Sequence, residues 1–200
     1  MNATPPPLKR PAADEAAQQR HDAEHLAQVM LALGARSAYV IAATGLSNEQ
    51  VRQWHRRVTG RQAARGPVPY HAASVIRTRA AQAHASLFAA LEQQAATGLE
   101  RGIDPWRILQ TFQRYLALVP EALLAQALTL NDAWVIARDL RGGAATLVWC
   151  DLCQAHYLDM QGSTLSGCPV CALYAARVGG PRRRCARRFV ASSEPVRTGP

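Results

Sequence analysis

Apolar residues recur along the chain at helical spacing, and the breaks between periodic stretches carry their own punctuation. Leu26, Val29, Met30 and Leu33 fall at i, i+3, i+4 and i+7, one face of a helix running from His21 to a stop at Gly34. A short helix over about Ala35 to Ala43 is broken by Thr44-Gly45. Ser47 then opens another: it is a good N-cap, Gln50 three residues on can close a capping box, and Leu46 and Val51 take the two positions of a hydrophobic staple. That helix extends to about Thr59, Gly60 ends it, and Gly66-Pro67-Val68-Pro69 is a rigid connection that cannot stay helical. Ala72 to about Thr97 reads as one amphipathic helix through Ile76, Ala80, Ala83, Leu87 and Leu91. Asp104-Pro105 starts the next, with proline in its favoured first position, and Pro120 ends it after Leu118. Shorter helices are predicted over Glu121 to Leu128 and Asp132 to Arg141.

Beyond Gly142-Gly143 the pattern becomes that of short strands, Ala144 to Trp149 and Gln154 to Leu158, rich in Val, Thr, Trp and Tyr. The predicted fold is therefore mainly α. A helical body over 21–141 contains a helix-turn-helix-like segment at 35–59, and a small four-cysteine ribbon over 142–176 and a basic arm over 177–200 follow it. Residues 1–20, with three consecutive prolines and few large apolar side chains, read as a disordered leader outside the fold. Trp106, Phe112, Tyr115 and Trp134 are spaced as helix-core residues.

The cysteines change the picture most. Cys150-Asp-Leu-Cys153 and Cys168-Pro-Val-Cys171 are two Cys-x-x-Cys knuckles at the spacing of a zinc ribbon. A two-residue gap lets both sulfurs of a knuckle reach one ion, and two knuckles complete a tetrahedron of thiolates. The competing reading is a pair of disulfides, but the chain opens MNATPPPLKRPAADEAAQQR with no apolar signal region, which points to a cytoplasmic protein. One structural zinc per chain is expected, with all four positions closed to water and substrate. His156, between the knuckles, is predicted to be a surface residue and not a ligand.

Charge narrows the partner. The formal net charge is +9, and Lys9 is the only lysine among 23 basic residues. Arginine suits phosphate and base-edge recognition because its planar fork donates two parallel hydrogen bonds. The apolar runs are too short to span a bilayer, so nucleic acid is the polyanion to expect. The outer face of the helix after Ser47 carries Asn48, Arg52, Gln53 and Arg56, side chains able to donate to base edges in a major groove, with Val51, Trp54 and Val58 inward. A helical hairpin with a merely solvated face, or a surface that docks a protein, fits the same residues. The arm, from Arg177 through Arg182, Arg183, Arg184, Arg187 and Arg188, is predicted to bind phosphates, the bland alternative being a solubilising tail. Cys185 sits among these arginines as a fifth cysteine outside the knuckles. No Ser-His-Asp order, paired-carboxylate constellation or glycine-rich phosphate loop stands out, so no enzyme is expected. A zinc-stabilised adaptor for RNA or a protein, or a redox- or metal-responsive regulator, would fit the same composition.

Together these pieces resemble one family, FlhC, the zinc-containing subunit of the flagellar master transcriptional activator. The resemblance runs from about His21 to Arg188. It rests on Leu33-Gly34-Ala35-Arg36, the Leu46-Ser47 helix start with its arginine-rich end, His84-Ala85-Ser86-Leu87-Phe88, the Tyr115 to Pro120 helix end, Ala133-Trp134, both knuckles and the basic segment beyond. It implies that Cys150, Cys153, Cys168 and Cys171 are zinc ligands. It also implies a complex of two FlhC and four FlhD chains that binds double-stranded promoter DNA and recruits RNA polymerase. The proline-rich leader and Cys185 depart from the family pattern.

Overall fold

A computed structural model of the chain describes residues 12–62, 68–96 and 102–178. Residues 1–11, Gly66-Pro67 of the rigid connection and everything after Val178 lie outside the described residues. The first helix, α1 (Ala12–Ala32), begins well before His21, so the expected leader overlaps it. Ala12 to Arg20 has no apolar face to announce a helix. Its alanines and glutamines favour one all the same, and Asp14 and Glu15 complement the positive end of the helix dipole.

α2 (Ser37–Thr44) and α3 (Asn48–Thr59) follow, joined by Gly45 in the left-handed conformation (φ 69°). Thr44 tightens that turn, its hydroxyl donating to the Val40 carbonyl at 2.7 Å and accepting from Leu46 N–H at 3.2 Å. The capping box forms: Ser47 Oγ accepts from Gln50 N–H at 3.3 Å, and Gln50 Oε1 accepts from Ser47 N–H at 2.9 Å. α1 packs across both helices, burying Ala27, Met30, Val40 and Val51. The α1–α2 turn is tied to a distant part of the chain, because Asn131 accepts from Arg36 N–H at 2.8 Å and donates to the Gly34 carbonyl at 3.0 Å.

The long helix expected over Ala72 to Thr97 is two helices, α4 (Ala72–Val75) and α5 (Arg79–Ala95). Ile76 leaves the helix in an extended conformation with its side chain buried, and Thr78 caps α5 by accepting from Ala81 N–H at 3.1 Å. The buried face of α5 differs from the expected stripe. Gln82, Ala85, Ser86, Phe88, Ala89, Leu91 and Glu92 are inside, while Leu87 is exposed and Ala83 half-buried.

α6 (Pro105–Leu118) is capped by Asp104, whose carboxylate accepts from Trp106 and Arg107 N–H, with Pro105 in the first position as expected. A 3₁₀ turn (Glu121–Gln126) and α7 (Leu130–Gly142) complete the body. Phe112, Tyr115 and Trp134 are core residues. Trp106 is not: at 38% exposure it lies against the His25 ring, 5.6 Å between centroids. Tyr115 cross-links the centre, its hydroxyl accepting from Leu128 N–H at 3.0 Å and sharing a hydrogen bond with His84 Nδ1 at 2.8 Å. Burial lowers the pKa of His84 and so favours its neutral imidazole.

β1 (Ala145–Cys150) and β2 (Ala155–Met160) pair antiparallel, with Leu147 opposite Leu158 and Trp149 opposite His156. Side chains alternate between two surroundings, as a pleated strand requires. Ala145, Leu147, Leu158 and Met160 join the core of the helical body, whereas Val148, Cys150 and Tyr157 form a second cluster with Cys168. The chain then forms α8 (Pro169–Val178), where the sequence pattern predicts the end of the ribbon and the start of the arm. Pro169 at its first position and the alanines that follow explain the helix. Among the described residues, no helix is long and apolar enough to cross a membrane.

Candidate metal centre and arginine-bearing helix

The hairpin and α8 bring the two knuckles together. Cys150 ends β1, Cys153 lies in the turn before β2, Cys168 immediately precedes α8 and Cys171 sits in its first turn. The first knuckle folds back on itself through Gln154 N–H, which donates to the Cys150 carbonyl at 2.8 Å while Gln154 takes a positive φ of 53°. All four sulfurs lie within 4.8 Å of one another, with Cys150 Sγ 3.7 Å from Cys171 Sγ and Cys153 Sγ 3.5 Å from Cys168 Sγ. None is in a disulfide. Four convergent sulfurs make a cage that can hold one metal ion. Burial, reinforced by hydrogen bonds to neighbouring thiols, pushes the Cys153 thiol up to about 11. The same causes push Cys171 higher. These two groups thus favour the thiol until a cation compensates the thiolate charge.

The cage is held against the body by residues that sequence reasoning missed as site residues. Arg79, Gln82 and Ser86 form a polar stripe at i, i+3 and i+7 along α5. Ser86 Oγ accepts from Leu158 N–H at 2.9 Å, and Gln82 Nε2 donates to the Leu158 carbonyl at 3.0 Å, so two side chains satisfy the backbone of Leu158 on the open edge of β2. The available signal was this regular run of polar side chains in an alanine-rich helix. His156 lies outside the cage, exposed and edge-on to Trp149 at 4.9 Å, as expected for a surface residue.

A second group of predicted site residues lies on α3. Asn48, Arg52, Gln53 and Arg56 are all exposed, while Val51 is buried and Trp54 and Val58 are half-buried against the body. Arg57 lies over the Trp54 ring, 5.1 Å from its centroid. Arg177 is exposed in the last turn of α8, not in an arm. Arg182, Arg183, Arg184, Cys185, Arg187 and Arg188 lie outside the described residues.

Fold and site together define a mainly helical protein built around a four-cysteine metal cage and an arginine-bearing helix. The chain matches the model of the flagellar transcriptional activator FlhC over residues 14–185 and belongs to that family. It is also similar to the flagellar transcriptional regulator FlhC of Thauera aminoaromatica, 25% identical over 163 residues that cover 80% of this chain and 81% of that protein. The family is one of transcriptional regulators rather than a class of enzymes.

Proposed function

We propose that the protein is a DNA-binding transcriptional activator of flagellar genes, acting in a hetero-oligomer with an FlhD-type subunit and holding one structural zinc ion. The observation that carries the DNA reading is the solvent face of α3. Its end is fixed by a capping box, its inner residues are packed, and Asn48, Arg52, Gln53 and Arg56 project outward with the donors that base edges accept. The zinc reading is supported by the cage: a tetrahedral ion with sulfur bonds of about 2.3 Å sets sulfur–sulfur edges near 3.8 Å, and the paired sulfurs stand 3.5 and 3.7 Å apart. Zinc held there by Cys150, Cys153, Cys168 and Cys171 supplies structure, because four thiolates leave no open position for substrate. In this reading the arginines of α3 discriminate bases, whereas Arg177 and the arm from Arg182 to Arg188 hold phosphates. The complex of two FlhC-type and four FlhD-type chains and the recruitment of RNA polymerase come from the family resemblance.

The test is a salt titration of the partner complex on promoter and scrambled duplexes. Arg52→Ala should reduce the promoter-to-scrambled affinity ratio, each bidentate pairing being worth roughly 1–3 kcal/mol against the wrong base. Alanines at Arg182, Arg183, Arg184, Arg187 and Arg188 should weaken both duplexes alike, with the log–log salt slope reduced by about 0.9 for each phosphate that is no longer neutralised. An unchanged ratio in Arg52→Ala together with a collapsed ratio in the arm variant would move specificity away from α3.

A further inference from the structure

The segment between β2 and the second knuckle reaches Cys168 through Ser166 and Gly167, and neither carbonyl has a strand to accept from. Both accept from one side chain at the start of α5: Arg79 Nη2 donates to the Ser166 carbonyl at 2.7 Å, and Arg79 Nη1 to the Gly167 carbonyl at 3.1 Å. Gly167 takes a φ of +82°, the left-handed conformation that turns the chain from those carbonyls into Cys168. Arg79 is itself oriented, its Nη1 also donating to Gln82 Oε1 at 2.9 Å. Gln82 is completely buried, and its amide spans the Leu158 carbonyl at 3.0 Å and the Gly167 carbonyl at 3.5 Å. One turn on, the Ser86 hydroxyl donates to the Gln82 carbonyl at 2.6 Å and accepts from Leu158 N–H at 2.9 Å. A continuous hydrogen-bonded path therefore runs from the residue before a cage cysteine into the middle of α5.

We infer that Arg79 is a positioning residue for the metal centre, fixing where Cys168 and Cys171 stand, and that the Arg79–Gln82–Ser86 stripe transmits metal occupancy to α5. The inference rests on the reading of the four cysteines as a metal site. The physical argument is preorganisation. Cys168 and Cys171 share the short stretch that opens α8, so pinning the two carbonyls just before it places half of the ligand set before an ion arrives. A planar guanidinium suits this role because one group donates in two directions at fixed geometry, which an ammonium does not reproduce. Groups that orient metal ligands without touching the metal typically change metal affinity about 10–100-fold when removed. Arg79 is half-buried at the first position of its helix, so its truncation opens no cavity in the core.

The experiment uses the zinc-loaded full chain and follows zinc release to a chromogenic chelator well below the melting temperature. Arg79→Ala should release zinc roughly 10–100-fold faster than wild type, and Arg79→Lys should fall between them. Cobalt-substituted samples should keep the spectrum of four tetrahedral thiolates, so that faster release reports positioning and not a missing ligand. Hydrogen exchange supplies the second readout. Stripping zinc from wild type should speed exchange at the Leu158 amide and the first turns of α5, and Arg79→Ala should weaken that response in α5. Equal release rates for all three proteins, with wild type binding one zinc, would overturn the positioning role alone. If Arg79→Ala does not fold, Arg79→Lys releasing zinc at the wild-type rate has the same consequence. A wild type that takes up neither zinc nor cobalt overturns the inference and the metal reading together.

Discussion

The helical body and the cysteine hairpin solve the same problem with different means. The body buries large side chains from every long helix, Met30, Phe88, Ile108, Tyr115 and Ile136 among them, and needs no metal to exclude water. Among the described residues, the far side of the hairpin has only Cys150, Tyr157 and Cys168 as buried members of its cluster. That is too little apolar surface to balance the entropy of ordering two strands and a helix. The hairpin therefore leans on two supports, a cage that a cation can close and the side chains of α5 that complete the edge of β2. The contrast teaches that the cysteines do not furnish a detachable module: one face of the hairpin already belongs to the body's core.

The sharpest way to break the contrast is to remove the metal. Chelation, or Cys168→Ser, should unfold the hairpin and α8 while α1 to α3 stay helical, because structural zinc supplies about 10–16 kcal/mol in small metal-folded peptides. Metal content and circular dichroism measure this, and a variant with full zinc occupancy and unchanged stability would sink the four-cysteine site. The pH dependence follows in sign. The ion binds thiolates, and the Cys153 thiol is raised to about 11, so protons compete with the ion below that pH and zinc affinity should fall steadily as pH drops.

Within the body the largest single-residue effect is expected at its buried ion pair, Arg107 Nε to Glu92 Oε1 at 3.0 Å with both side chains almost fully buried. Glu92→Ala should cost about 3–5 kcal/mol by leaving a buried charge uncompensated, whereas Glu92→Leu with Arg107→Met should be far milder. Denaturant unfolding distinguishes the two. At the junction, Ser86→Ala strands the buried Leu158 N–H and should cost roughly 1–3 kcal/mol, with the effect concentrated in hydrogen exchange of β2. The smallest effect is expected at α3, where Ser47→Ala removes one half of the capping box for about 1 kcal/mol. Thermal unfolding measures it, and a Ser47→Ala variant as stable as wild type would show that the capping box contributes nothing to the body.

Local signals were legible and long-range ones were not. Ser47 with Gln50, Asp104 with Pro105, and the paired Cys-x-x-Cys spacings each act over a few residues, and the structure bears out each cap and brings the four sulfurs together. The break between α4 and α5 escaped because no glycine or proline marks it; Thr78 as an N-cap was the only cue. The buried face of α5 was misread because its inward positions include Gln82, Ser86 and Glu92, polar residues whose partners lie far along the chain. α8 was hidden by its position after a knuckle, in the stretch that reads as the end of the ribbon and the start of the arm. The arrangement of Arg79 against the carbonyls before Cys168 spans 87 and 88 residues and has no local signature.

The bridge from Asn131 to Gly34 and Arg36 bears on the order in which the chain assembles. α1, α2 and α3 touch one another within the first sixty residues, so their mutual packing closes short loops and is available early as the chain emerges from the ribosome. Asn131 is made long afterwards, and it fastens the α1–α2 turn across 95 and 97 residues. The last cage cysteine comes later still. Synthesis thus delivers α1 to α3 first, the Asn131 bridge to the α1–α2 turn second and the cage cysteines last, which would make capture of an ion a late step on a body whose helices have already been made.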